Sequence, residues 1–273
     1  MASKPRRKSA TADETMAVQE LVEGNLRSVG YNVARIPPSK NARRADLLAT
    51  RETERLIVEV TSKRDDGEYD RALQSAGLAL HTLVIAQHGA TTKALRGKNA
   101  QIRSTPQSAE TVRLIWLEAV GPFRESIAQQ IEATFYGRVS VPVNWSASGT
   151  VETKHKYCYF FDHAACFSMG SVDAILVGYD GKTRMLLNPR DEARALATRE
   201  THLAQILNGG GAFVSPFDEE KAGAAFLAHD FPGDRRDDRA LEDFMERKYS
   251  VRPFLALRMN MMTAGAVIPG KQP

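Results

Sequence analysis

From Asp13 onward the apolar positions fall at helical spacing. Val18, Val22, Leu26 and Val29 lie on one stripe, three and four residues apart. Asp13 suits an N-cap and Gly30 a helix end, since glycine takes the left-handed conformation that closes a last turn. The pattern then switches to alternation. Tyr31 to Ile36 reads as a strand stopped by Pro37-Pro38, Ala45 to Thr50 as a second strand, and Arg55 to Ser62 as a third after the turn Glu52 to Glu54. Beyond Asp65-Asp66-Gly67, helical spacing returns over Tyr69 to His81, with Leu73, Ala76 and Leu80 inward. Thr82 to Ala86 reads as a short buried strand, Thr92 to Arg103 as a helix and Val112 to Val120 as a strand. Pro122 opens a helix to about Tyr136, proline being favoured in a first turn. The order predicts an α/β fold in which helices flank a mixed sheet.

After Gly137 the chain becomes rich in β-branched and aromatic residues up to about residue 190. Turns are expected at Ser148-Gly149 and Asp180-Gly181, the latter a two-residue hairpin signal. Helices are expected over Asp191 to Leu207, Asp218 to Leu227 and Arg239 to Arg247, with Gly209-Gly210-Gly211 between the first two. The expected organisation is a basic tail at 1–14, an α/β core at 15–137 and a smaller α+β accessory region at 138–273.

Composition narrows the class only modestly. The 273 residues are 42% hydrophobic and 26% charged, enough apolar side chain for a packed core. The formal net charge is +4, consistent with a nucleic-acid partner and equally with none. Two cysteines are too few for a disulfide scaffold, so a reducing, cytoplasmic setting is expected. No apolar run approaches the length of a membrane span. The basic start, with Lys4, Arg6, Arg7 and Lys8, has no apolar segment behind it and reads as a tail rather than a secretory signal.

Chemistry concentrates in RLIVEVTSKRDD, residues 55–66. A carboxylate, Glu59, interrupts an apolar strand, and Asp46 heads the strand before it. Adjacent antiparallel strands lie about 4.8 Å apart and bring such side chains together. Two neighbouring carboxylates repel unless a positive charge sits between them, and a hard divalent cation with oxygen ligands supplies one.

The block GYNVARIPPSKNARRADLLATRETERLIVEVTSKRDD resembles the core of the PD-(D/E)xK, or restriction-endonuclease-like, nucleases, and within them the archaeal Holliday-junction resolvases. The likeness runs from about Thr15 to Gln87. It includes the helix closed by Gly30-Tyr31, Asp46 after a basic loop, the thirteen-residue step to Glu59, and Gln74, where relatives place a glutamine. The resemblance implies Mg²⁺ (or Mn²⁺) held by Asp46, Glu59 and the Val60 carbonyl, hydrolysis of DNA, and pairing into a homodimer. Two positions depart. The lysine expected two residues after the acid is Thr61, and Lys63, two further along the same strand face, is the expected replacement. The helix glutamate falls at Gln19; of its neighbours Glu20 and Glu23, Glu23 flanks the apolar stripe and is the expected substitute. Arg43, Arg44, Arg64 and Arg71 would ring such a site and hold phosphates.

Blander readings stand beside these. Asp46 could be a structural carboxylate paired with Arg43 or Arg44, Glu59 a surface residue of an edge strand, and Lys63 and the arginines a solvated basic face. An inactive nuclease-fold protein that binds nucleic acid or serves assembly is the alternative function, favoured by Thr61 and Gln19. A scaffold without nucleic acid is a third. His155, Cys158, His163 and Cys166 carry zinc-binding residue types, but the aromatic residues between them favour buried strands with cysteines as small hydrophobes.

Overall fold

The stripe Val18, Val22 and Leu26 is buried on helix α1, Ala12–Ser28. The helix closes as its glycine suggests: Gly30 has φ 91°, and Tyr31 N donates to Leu26 O at 3.1 Å. The structure, a computed structural model, describes residues 12–39, 43–64, 80–84, 88–121, 123–146, 151–257 and 260–264. The next strands are β1, Asn32–Arg35, β2, Leu47–Arg51, and β3, Glu54–Arg64. After β4, Leu80–Val84, come helix α2, Gly89–Arg103, strand β5, Val112–Val120, and helix α3, Arg124–Tyr136. Strands β6, Val139–Ser146, β7, Val151–Tyr159, β8, Ala174–Tyr179, and β9, Lys182–Leu187, follow. Then come helices α4, Glu192–Arg199, and α5, His202–Gly209, and strand β10, Phe213–Val214. Helix α6, Pro216–Lys221, strand β11, Ala225–Leu227, helix α7, Asp238–Tyr249, and strand β12, Asn260–Ala264, complete the order.

The main sheet has seven strands in the order β1-β2-β3-β5-β8-β9-β10. It is mixed: β1, β2 and β3 run antiparallel, β3, β5 and β8 parallel, and β9 returns antiparallel to β8. With helices on both faces the fold is α/β, as the periodicity predicts. β3 and β5 are interior and covered on both sides, which explains their nearly continuous apolar runs. Alternation along β3 divides them. Leu56, Val58 and Val60 join α1 and α5 in one core, while Ile57 faces the core built with Leu95 and Ile102 of α2 and Ile127 and Ile131 of α3.

A second sheet, β11-β7-β6, covers a third core with Leu241 and Met245 of α7 and Phe254. β4 pairs with β12. The boundary expected at Gly137 cuts through the main sheet, because β8, β9 and β10 come from beyond it.

Three expected elements differ. Leu80 and His81, expected at the end of a helix, belong to β4, and the rest of that helix, including Arg71 and Gln74, lies outside the described residues. The helix expected from Asp191 to Leu207 is two, because Thr201 caps a new one: its hydroxyl accepts from Ala204 N at 3.2 Å. The helix expected from Asp218 to Leu227 stops at Lys221, Gly223 turns with φ 68°, and Ala225–Leu227 run parallel to β7.

Candidate active site

Two strands and two helices meet where the sequence places its carboxylates. The β2–β3 register ends with Leu47 opposite Val58, so Asp46 just precedes the last paired residue of β2 and Glu59 just follows its partner on β3. The two side chains are close enough for the Asp46 charge to act on the Glu59 carboxyl. The head of β2 is fixed on both sides: Asp46 N donates to Val58 O at 3.2 Å, and Asp46 O accepts from Ile36 N at 2.8 Å.

Each carboxylate has its own fixture. Asp46 Oδ2 accepts from Val60 N at 2.8 Å, and Oδ1 accepts from Gln19 Nε2 of α1 at 2.7 Å. Glu59 is 0% exposed. Its Oε1 accepts from Lys98 Nζ of α2 at 2.5 Å, and its Oε2 is buried without a hydrogen-bond partner. Burial pushes the Glu59 carboxyl up to about 8; Lys98 pulls it down and the nearby Asp46 charge pushes it further up. A shared proton or a cation would relieve the repulsion within such a pair.

Lys98 is the residue that the strand pattern does not reveal. Thr61, where the resemblance implies a lysine, is a half-exposed hydroxyl. Lys63 lies four residues beyond Glu59, about 13 Å along the strand, opposite Ala119 of β5. The cation on Glu59 comes instead from α2, where Lys98 is 24% exposed. A signal was present: Lys98 stands three residues after Leu95 and four before Ile102, both buried, so a lysine occupies the inward stripe of its helix.

The other expected site residues divide. Glu23 is buried, but it ties α1 to the edge of the sheet by accepting from Arg27 Nη2 at 3.0 Å and Arg35 Nε at 2.5 Å. Gln19, one turn earlier, is the α1 residue that touches Asp46. Val60 brings its main-chain N–H to Asp46 while its side chain sits in the opposite core. Arg43 and Arg44 border a cleft of about 440 Å³ together with Gln19, Arg35 and Asp46. Arg64 instead pairs with Glu14 at 3.3 Å, and Arg71 lies outside the described residues.

The donor chemistry suits a hard divalent cation: two neighbouring carboxylates, one with a buried oxygen lacking a partner. No group of three or more His, Cys, Asp or Glu side chains able to hold a metal ion occurs among the described residues. The zinc-type residues do not converge. Cys158 is buried in the third core and Cys166 in the α2–α3 core, while His163 is exposed beside Arg96 at 3.3 Å. Burial raises both thiols above their ordinary range, as for inert core cysteines. No helix among the described residues is long and apolar enough to cross a membrane. No protein-family model, curated protein or solved structure matches this chain.

Proposed function

We propose that the protein is a nuclease that hydrolyses DNA phosphodiester bonds with a divalent cation, Mg²⁺ or Mn²⁺, held by Asp46, Glu59 and the Val60 carbonyl. The observation that carries this reading is the neighbouring carboxylate pair with an ammonium on one member: Lys98 Nζ lies 2.5 Å from Glu59 Oε1. When bound, the cation supplies Lewis-acid chemistry, polarising a phosphoryl oxygen and relieving the repulsion between the carboxylates. Gln19 fixes the Asp46 side chain, and the Val60 N–H holds its second oxygen. Lys98 orients Glu59, and its remaining ammonium protons would face negative charge developing on the phosphoryl oxygens, as preorganised donors do. Arg43 and Arg44 bind flanking phosphates.

A second reading, a nucleic-acid-binding module without hydrolysis, is favoured by the same contacts: Gln19, the Val60 N–H and Lys98 already occupy three of the four carboxylate oxygens. Incubation of supercoiled plasmid with Mg²⁺, Mn²⁺ or EDTA separates the two. Metal-dependent nicking is expected, reduced by about 100-fold or more in Asp46→Asn, Glu59→Gln and Lys98→Ala, the scale of losing one preorganised group, and retained in Lys63→Ala. DNA binding in EDTA with no nicking in either metal supports the second reading. Neither binding nor nicking sinks both.

A further inference from the structure

A second cleft, of about 470 Å³, lies against α2 beside the first. The two share Arg43 and Gln101 as a common wall. Asp46 lines the first, and Lys98, bonded to Glu59, lines the second. The carboxylate pair therefore lies between them.

The linings carry five cations, Arg35, Arg43, Arg44, Lys93 and Lys98, against one carboxylate, Asp46. Arg35 and Lys98 are committed to Glu23 and Glu59. Arg43 and Lys93 are exposed, and neither has an ion-pair partner among the described residues. The Arg44 Nε is buried without a hydrogen-bond partner. These groups form a charge pattern complementary to a polyanion. Shape agrees along α2. Ala90, Ala94 and Gly97 line the second cleft, and a Cβ added at Gly97 would meet nothing within 4 Å. Small side chains flanked by cations let a sugar–phosphate backbone approach the helix closely.

The geometry points to one continuous track: a nucleic-acid strand enters through one cleft, crosses the wall of Arg43 and Gln101 above the carboxylate pair, and leaves along α2, its phosphates held by Arg43 and Lys93. This rests on the proposed function for what happens at the crossing, but strand binding by the track stands independently of hydrolysis.

The test is fluorescence anisotropy of a labelled oligonucleotide, single-stranded and as duplex, in EDTA, over about 50 to 200 mM salt. Each lost phosphate contact flattens the plot of log affinity against log salt by about 1. Lys93→Ala and Arg43→Ala are each expected to flatten it by that amount. Arg96→Ala removes an exposed cation of the same helix that lies outside both clefts, beside His163, and is expected to leave the slope unchanged. Gly97→Leu fills the second cleft without altering charge and is expected to weaken binding at every salt concentration with the slope preserved. If Arg96→Ala flattens the slope as much as Lys93→Ala, general positive charge alone is at work and the track is overturned. No binding by the wild-type protein, or full binding by Gly97→Leu, overturns it as well. Track-dependent binding without metal-dependent nicking would retire the nuclease reading and leave the track intact.

Discussion

Glu59 is a carboxyl in a place that resists its charge, and this has a thermodynamic sign. Its pKa is raised from 4.5 to about 8 in the folded protein. Without metal, the native state keeps a proton through that window which the unfolded chain gives up. The unfolded chain then binds fewer protons, so stability falls as pH rises from about 4.5 to 8 and levels off above. The limiting slope for one proton is about 1.4 kcal/mol per pH unit. Thermal melts in EDTA across this range should show the wild type losing stability relative to Glu59→Gln, which has no such proton to lose. A divalent cation should diminish the loss at the alkaline end. Parallel curves for the two proteins would refute this. Asp46 and Glu59 were legible as neighbours because a short hairpin sets the head of β2 beside β3. Lys98 was not, because its contact crosses from helix to strand over 39 residues of chain. The Gln19 contact was obscured because spacing along a single helix does not say which of Gln19, Glu20 and Glu23 turns toward the sheet.

Among the elements, the turn from α3 into β6 depends on one missing side chain. Gly137 has φ 60°, its carbonyl accepts from Asp162 N at 3.0 Å, and a Cβ there would fall on the Asp162 carbonyl. Gly137→Ala should cost at least about 1–3 kcal/mol, the scale of a strained backbone position, read as a lower denaturation midpoint in urea. Gly181, equally left-handed, has nothing near its absent Cβ, so Gly181→Ala should incur the backbone cost without the collision and lose less. Periodicity found α1, β3, β5 and α2 because each is long enough to show a period. It missed β11, since three residues carry no period and the parallel pairing with β7 is what makes them a strand. The break between α4 and α5 was missed for a different reason: the apolar spacing runs on, while the Thr201 hydroxyl, bonded to Thr198 O at 2.8 Å and capping Ala204 N, stops the first helix and starts the next.

On the scale of the molecule, a buried ion network joins the two sheets. Glu132 of α3 accepts from Arg138, at the entrance to β6, and from Arg184 of β9 at 2.5 Å. Arg138 also stacks over the Tyr157 ring of β7, 4.0 Å from its centroid. Removing one partner of a buried pair strands the other charge, at about 3–5 kcal/mol. Glu132→Ala should therefore lower unfolding free energy on that scale, measured by chemical denaturation. Replacing Lys182, exposed at the tip of the β8–β9 hairpin, should change it little. Composition and order of elements anticipated the α/β class. The extent of the main sheet was not legible, because the change in residue type after Gly137 reflects β6 and β7 of the second sheet, inserted into the chain between β5 and β8 of the first.

That insertion has a consequence in time. Leu114 of β5 pairs with Ala174 of β8, sixty residues later. At a synthesis rate of about 5–20 residues per second, the edge of β5 waits roughly 3–12 s for its neighbour to be made. During that interval the half of the protein that carries Asp46 and Glu59 has emerged with a raw parallel edge, and the hairpin that closes it is still inside the ribosome or being translated.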